Sequence, residues 1–269
     1  MTEEKYSFSK LENFHNCRRG YYYDYIEKDR GGDNIYSYMG SITHEITQAM
    51  IQKQISNDDA VKQFIEAIDD AEMLDLEWMS DKVRDKYVDC ITHFLENYDP
   101  IDNPTMRIED YVELDVNGVI MRGYIDIWYR KGDTIYIEDL KTSTKFSKKD
   151  LPKKSRQLLF YALALSEKYP DYNIVLQFNM LKYGLRKGKL VERINLDLFD
   201  EFTDGIVEVN YDEESINDVK EYITDTVNKI KAIKSNDIEY WYMDNNPEKD
   251  FFCRNLCSHR NKCLERLGK

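Results

Sequence analysis

The spacing of apolar residues changes along the chain, and the changes mark out its elements. Near the N-terminus Leu11, Phe14 and Tyr21 to Tyr23 follow Ser7 and Ser9 at helical spacing, which predicts a capped helix with Cys17 near its middle. A second helix is expected from about Tyr38 and carries His44. From about Asp58 to Tyr98 the spacing of Val61, Phe64, Ile65 and Ile68, then of Val83, Tyr87, Ile91 and Leu95, is again helical and reads as an all-helical insert. Pro100 and Pro104 close that region, and strict alternation takes over. RIEDYVELDV, an Asn117-Gly118 turn, VIMRGYIDIWYR, a turn at Lys131-Gly132-Asp133 and TIYIEDLKT predict a three-strand meander. A helix from roughly Pro152 to Lys168, a strand through NIVLQFNMLKYG, a basic RKGK turn, a last strand at LVERINL and a helix from about Ser215 to Lys234 complete the pattern.

Mixed strands flanked by helices predict an α/β or α+β core in a single domain spanning 1–269. Its expected parts are an N-terminal helical segment (1–36), the insert (58–98), a core of sheet and helix (105–196) and a C-terminal segment (215–269). With 269 residues, 42% of them hydrophobic, such a core needs no staples. The opening MTEEKYSFSK has no apolar run, and no later stretch approaches bilayer length, so a cytoplasmic protein with no membrane partner is expected. The net charge of -13 argues against nonspecific adhesion to nucleic acid. The acids concentrate in 58–85 and 197–225, read as solvated helix faces, so any nucleic-acid contact must rest on local charge.

In the second hairpin Asp126 lies six residues before Gly132 and Asp139 seven after it, which sets the two carboxylates nearly opposite. Ile135, Ile137, Asp139 and Lys141 share one face of their strand. Two facing carboxylates at the end of an apolar stripe repel and are partly desolvated. A divalent cation, Mg2+ or Mn2+, would compensate them, with Lys141 beside an attacked phosphate, and the chemistry suggested is phosphodiester hydrolysis through a metal-activated water. The competing explanation is a salt bridge at a sheet rim. His44, within GSITHEI, is a candidate nitrogen ligand to the same metal or else a structural histidine. Gln157 and Tyr161 lie four apart on one helix face, either beside the site or as the polar edge of a packing helix. The run TSTKFSKKDLPKKSR then supplies Lys145, Lys148, Lys149, Lys153, Lys154 and Arg156 against one acid, a solvated loop or a set of phosphate contacts.

GxxxH at Gly40 to His44, GYID ending at Asp126, DLK at Asp139 to Lys141 and QxxxY at Gln157 to Tyr161 together resemble the RecB-like branch of the PD-(D/E)XK nuclease superfamily. The resemblance covers the order and rough spacing of four motifs. It implies a restriction-endonuclease-like αβββαβ core, with His44, Asp126 and Asp139 as metal ligands, Lys141 as catalytic partner and the Gln157–Tyr161 helix beside DNA. It also gives Glu113 a weak claim to face the site.

Cys253, Cys257 and Cys263 form C-x3-C-x5-C, one ligand short of a four-coordinate site, and Cys17 is the candidate for the fourth. A 4Fe-4S cluster, a zinc site in which His259 could replace Cys17, and unligated thiols are the three readings. Cys90 reads as a buried helical thiol. One cysteine before the core and three after it resembles the iron-sulfur nucleases of the same superfamily, AddB-type and CRISPR-associated members included. Arg18 stands where those have proline, and the first C-terminal spacing is one residue longer than their commonest form. The resemblance implies a cluster that ties the two ends of the chain together. The expected function is a metal-dependent DNA exonuclease acting on single strands or ends, with a helicase, recombination or CRISPR-adaptation partner. Its rivals are a catalytically silent DNA-binding or adaptor protein and a zinc-stabilised interaction module.

Overall fold

A computed structural model describes residues 4–198, 201–241 and 250–266. Two compact units emerge, one of residues 1–34, 113–123 and 217–269, the other of residues 35–112 and 124–216.

Most of the sheet belongs to the second unit, with its residues 113–123 in the first. Strands β1 (Arg107–Val116), β2 (Val119–Lys131), β3 (Thr134–Lys141), β4 (Asn173–Arg186) and β5 (Lys189–Glu192) lie in that order, and β6 (Thr203–Val209) pairs with β4. The β2–β3 hairpin is antiparallel, with Trp128 opposite Ile137 and Ile127 opposite Glu138. Strands β3 and β4 are parallel. A parallel pair needs a crossover, and α6 (Leu151–Lys168), with Pro152 in its first turn, supplies it.

Helices α3 (Ile35–Ile51), α4 (Asn57–Met73) and α5 (Asp81–Asn97) share one apolar cluster with Ile127, Tyr129, Leu140 and Leu181 of the strands. The region 58–98 is therefore part of the core of this unit, even though its helical period alone reads as an insert. Ser56 opens α4 with a capping box closed by Asp59, and Ser80 caps α5.

The first unit contains α1 (Phe8–Asn16), α2 (Arg18–Tyr21), a π-helical turn over Tyr22–Glu27, most of α7 (Glu213–Ala232), α8 (Asp250–Asn255) and α9 (Arg260–Arg266). Tyr21 stacks on Trp241 with ring centroids 5.5 Å apart, and Phe14 packs edge-on to Tyr21 at 5.4 Å, giving this unit an aromatic core.

Three sequence expectations need correction. Cys17 is not inside a helix: its backbone is extended, it ends α1 and begins α2, and its sulfur accepts the Gly20 N–H at 3.4 Å. The helix carrying His44 starts at Ile35, because the apolar face extends back through Ile35 and Met39. The acidic stretch 197–225 is not all helix face, since β6 lies within it; LVERINL in turn gives only the short β5 before a 3-10 helix takes over at Arg193–Leu198.

Candidate functional site

Continuing the β2–β3 register one step past Ile127 and Glu138 sets Asp126 beside Asp139, as their spacing from the turn implies. Asp126 Oδ2 accepts the Leu140 backbone N–H at 2.9 Å, which fixes the carboxylate across the hairpin. Asp139 is buried, and the Lys141 ammonium rests against its Oδ2. That oxygen has no hydrogen bond of proper geometry, and the ion pair with Lys141 compensates it instead.

Burial drives the Asp126 carboxyl well above the usual carboxylate range, and the neighbouring Asp139 pushes it further the same way. Lys141 and the Leu140 N–H oppose this without cancelling it. Desolvation and the facing acid therefore disfavour two ionised carboxylates here unless further positive charge is present.

His44 comes from α3, with Nδ1 3.7 Å from Asp126 Oδ2. Burial, then the Lys141 charge, lowers its basicity, so the ring stays neutral with a lone pair to offer. Gly40 sits one turn earlier, where an added Cβ would stand 3.3 Å from Thr142 Oγ1. The GxxxH spacing thus has a packing reason: the small residue lets α3 approach the end of β3 and bring His44 to Asp126.

Tyr161 is buried on α6 and receives the Gln157 Nε2 hydrogen bond at 2.7 Å. Burial raises its hydroxyl, the Gln157 bond opposes this, and the charges of Asp139, Asp126 and Glu109 add to the rise. Of the basic run, Lys145, Lys148, Lys149 and Lys154 are exposed, while Lys153 and Arg156 are half-buried. Lys153, Lys154 and Arg156 belong to the first turns of α6, and only the earlier members lie in the loop.

Glu113 belongs to the first unit, where it pairs with Lys5 at 2.7 Å. The acid that sequence reasoning missed is Glu109. It lies on β1 with a left-handed backbone (φ 51°), accepts a hydrogen bond from Gln48 Nε2 at 2.6 Å and acts electrostatically on Asp126. Such a conformation is unusual for a non-glycine residue in a strand, and no alternation pattern announces it. A second omission is Glu138, buried and held by Gln177 Nε2 at 3.0 Å and Asn179 Nδ2 at 2.7 Å, which ties β3 to β4 one residue before Asp139.

In the first unit the cysteines of the two chain ends influence one another. Burial lifts the Cys257 thiol to about 11, and Cys263, Cys17 and Cys253 each raise it further. His259 is buried, with Nε2 2.9 Å from Asp24 Oδ1 and its ring 4.8 Å from that of Tyr23. Lys262 bridges Glu27 at 2.6 Å and Asp29 at 2.7 Å, and Asn34 donates to the Leu256 carbonyl at 3.0 Å. Gly31 (φ 67°) passes so near that an added Cβ would stand 2.4 Å from the Ser258 carbonyl oxygen. Cys90 is a buried thiol of α5, raised by desolvation. Among the described residues, no three His, Cys, Asp or Glu side chains are drawn together closely enough to hold a metal ion.

A family model for the PD-(D/E)XK nuclease superfamily matches residues 5–264. The chain belongs to this superfamily. Nucleases of the PD-(D/E)XK superfamily generally use divalent metals such as Mg2+ or Mn2+. A solved structure of an inferred exonuclease from Eubacterium rectale is similar at 10% identity and a TM-score of 0.43, over 85% of this chain and 82% of that one. No curated protein matches. Among the described residues, no helix of this superfamily member is long and apolar enough to cross a membrane.

Proposed function

We propose that this chain is a divalent-metal-dependent DNA nuclease of the RecB-like type, cutting single strands or ends by phosphodiester hydrolysis. The observation that carries the reading is the desolvated pair Asp126 and Asp139, with Lys141 against Asp139 and an Asp139 oxygen lacking a hydrogen bond. Hard carboxylate oxygens and a neutral imidazole are suitable donors for Mg2+ or Mn2+, so Asp126, Asp139 and His44 would hold the ion. When bound, it supplies Lewis acidity and a water acidic enough to yield a nucleophile near neutral pH. Lys141 places positive charge beside the attacked phosphate, where charge grows on the oxygens in the transition state. The Gln157–Tyr161 pair fixes the polar edge of α6 over the same face. Lys145, Lys148, Lys149, Lys153, Lys154 and Arg156 would meet the backbone phosphates and offset the chain's overall negative charge locally.

Cys17, Cys253, Cys257 and Cys263 would hold a 4Fe-4S cluster whose role is structural, since hydrolysis moves no electrons. The mutual influence of the four thiols supports this set. Asp24 already engages His259, which favours Cys17 over a local zinc site of three cysteines and a histidine.

The test is digestion of linear single-stranded DNA, blunt duplex and covalently closed single-stranded circles by anaerobically prepared protein, with Mg2+, Mn2+ or chelator. Loss of linear substrate, sparing of circles and silence in chelator are expected. Cleaved circles would overturn the exonuclease assignment, and activity in chelator would overturn metal dependence.

A further inference from the structure

Beyond Asp126, toward the start of β2, the same strand face carries Tyr124, and β1 carries Tyr111 two residues past Glu109. The two rings meet with centroids 5.4 Å apart at an interplanar angle of 61°. Yet they are 45% and 55% exposed, more than Tyr211, the other exposed aromatic among the described residues of this unit. Ordinary cross-strand pairing accounts for the contact between the rings but not for the large aromatic area left in water.

Their surroundings narrow what could cover them. Glu109 and Asp126 flank the pair along the strands, and Asp110 beside them accepts the Trp128 Nε1–H at 2.8 Å. An acidic border repels phosphate but tolerates the uncharged face of a base. Base faces are available only where bases are unstacked, as in a single strand or a frayed end.

We infer that Tyr111 and Tyr124 form a stacking platform for unpaired bases of a single-stranded nucleic-acid end, beside the carboxylate site. The inference rests on the nuclease reading of that site and names what it selects. On this account bases are recognised at the tyrosines and phosphates at the basic run, so the strand lies with opposite sides against the two surfaces. Stacking is tolerant of sequence, so the platform selects strandedness rather than a base order.

The test reads binding rather than cleavage. Fluorescently labelled oligodeoxynucleotides are titrated onto the full chain with Ca2+ in place of Mg2+ to suppress turnover. Tyr111→Ala and Tyr124→Ala should each weaken single-strand binding by roughly tenfold, while Tyr124→Phe keeps it. An oligonucleotide with consecutive abasic positions should bind the wild type about as poorly as the normal strand binds the alanine variants, and should lose little more on those variants. Duplex affinity should not change. Full additivity of the abasic and alanine losses, or an equal loss on duplex, would overturn the platform. If the binding pattern holds but no strand is cut with Mg2+ or Mn2+, the nuclease reading fails and the platform stands.

Discussion

The carboxylate face in the second unit and the cysteine region in the first both crowd ionisable groups, but they gather them differently. At the carboxylates, strand register does the work: a hairpin turn and the alternation of β3 set Asp126, Asp139 and Lys141 together within sixteen residues. At the cysteines, segments from opposite ends of the sequence meet, and separate contacts hold them together: Asp24 with His259, Lys262 with Glu27 and Asp29, and Gly31 packed under the Ser258 carbonyl. In the first region the facing carboxylates resist joint ionisation unless positive charge is added. In the second, burial raises the Cys257 and Cys263 thiols, and their segments have independent reasons to stay joined.

The difference predicts unequal consequences of mutation. The largest belongs to the hairpin: Asp126→Ala, Asp139→Ala or Lys141→Ala should each cut turnover by about a thousandfold or more while the circular dichroism spectrum is unchanged. On the proposed reading each variant removes a metal ligand or the charge beside the phosphate; the two aspartate variants also relieve the fold of crowded carboxylates, whereas Lys141→Ala takes the cation from Asp139.

Next comes the cysteine region. Cys17→Ser, Cys253→Ser, Cys257→Ser and Cys263→Ser should each abolish the iron and visible absorption of anaerobically purified protein, whereas Cys90→Ser and His259→Ala should keep iron. Because Asp24, Lys262 and Gly31 hold the segments regardless, hydrogen exchange around Tyr23 and His259 in the iron-free Cys17→Ser protein should stay partly protected. Full iron in Cys17→Ser with loss in His259→Ala would establish a local ligand set instead.

Smaller still is the effect of the basic run. Reversing Lys148 and Lys149 should lower the salt dependence of single-strand binding by about 0.7 per lost phosphate contact in log–log slope. An unchanged slope would move the strand elsewhere.

The smallest effect concerns Glu138, whose carboxyl burial raises. A raised carboxyl favours folding while protonated in the native state, so its contribution falls as pH climbs from the ordinary carboxylate value through the native one. Glu138→Gln loses a good acceptor facing Asn179 or Gln177, yet escapes that pH-linked cost. In chelator, its destabilisation measured by urea unfolding should shrink from acidic to neutral pH. A deficit independent of pH would contradict the buried-charge account.

What the sequence made legible follows from which interactions are local. Register from the Gly132 turn located Asp126 and Asp139, because alternation is fixed by covalent geometry. Periodicity found α4 and α5 but not their role, since a helical stripe does not say whether it faces a sheet or another helix. Glu109 stayed hidden because its left-handed backbone interrupts alternation, and Glu138 because its partners on β4 lie 39 and 41 residues away. Cys17 was identifiable as a residue of interest but placed in the wrong conformation: its side chain caps the following helix, and helical spacing on both sides obscures the break.

The central claim is that cleavage depends on a metal held at Asp126. Chelator-treated wild type and Asp126→Ala should be titrated with Mn2+ in the presence of an end-labelled single strand, following cleavage at each metal concentration. The account predicts a saturable rise in wild type from zero, and no cleavage by the variant at any concentration that saturates the wild type. Cleavage before Mn2+ is added, or an equal rise in Asp126→Ala, would contradict it.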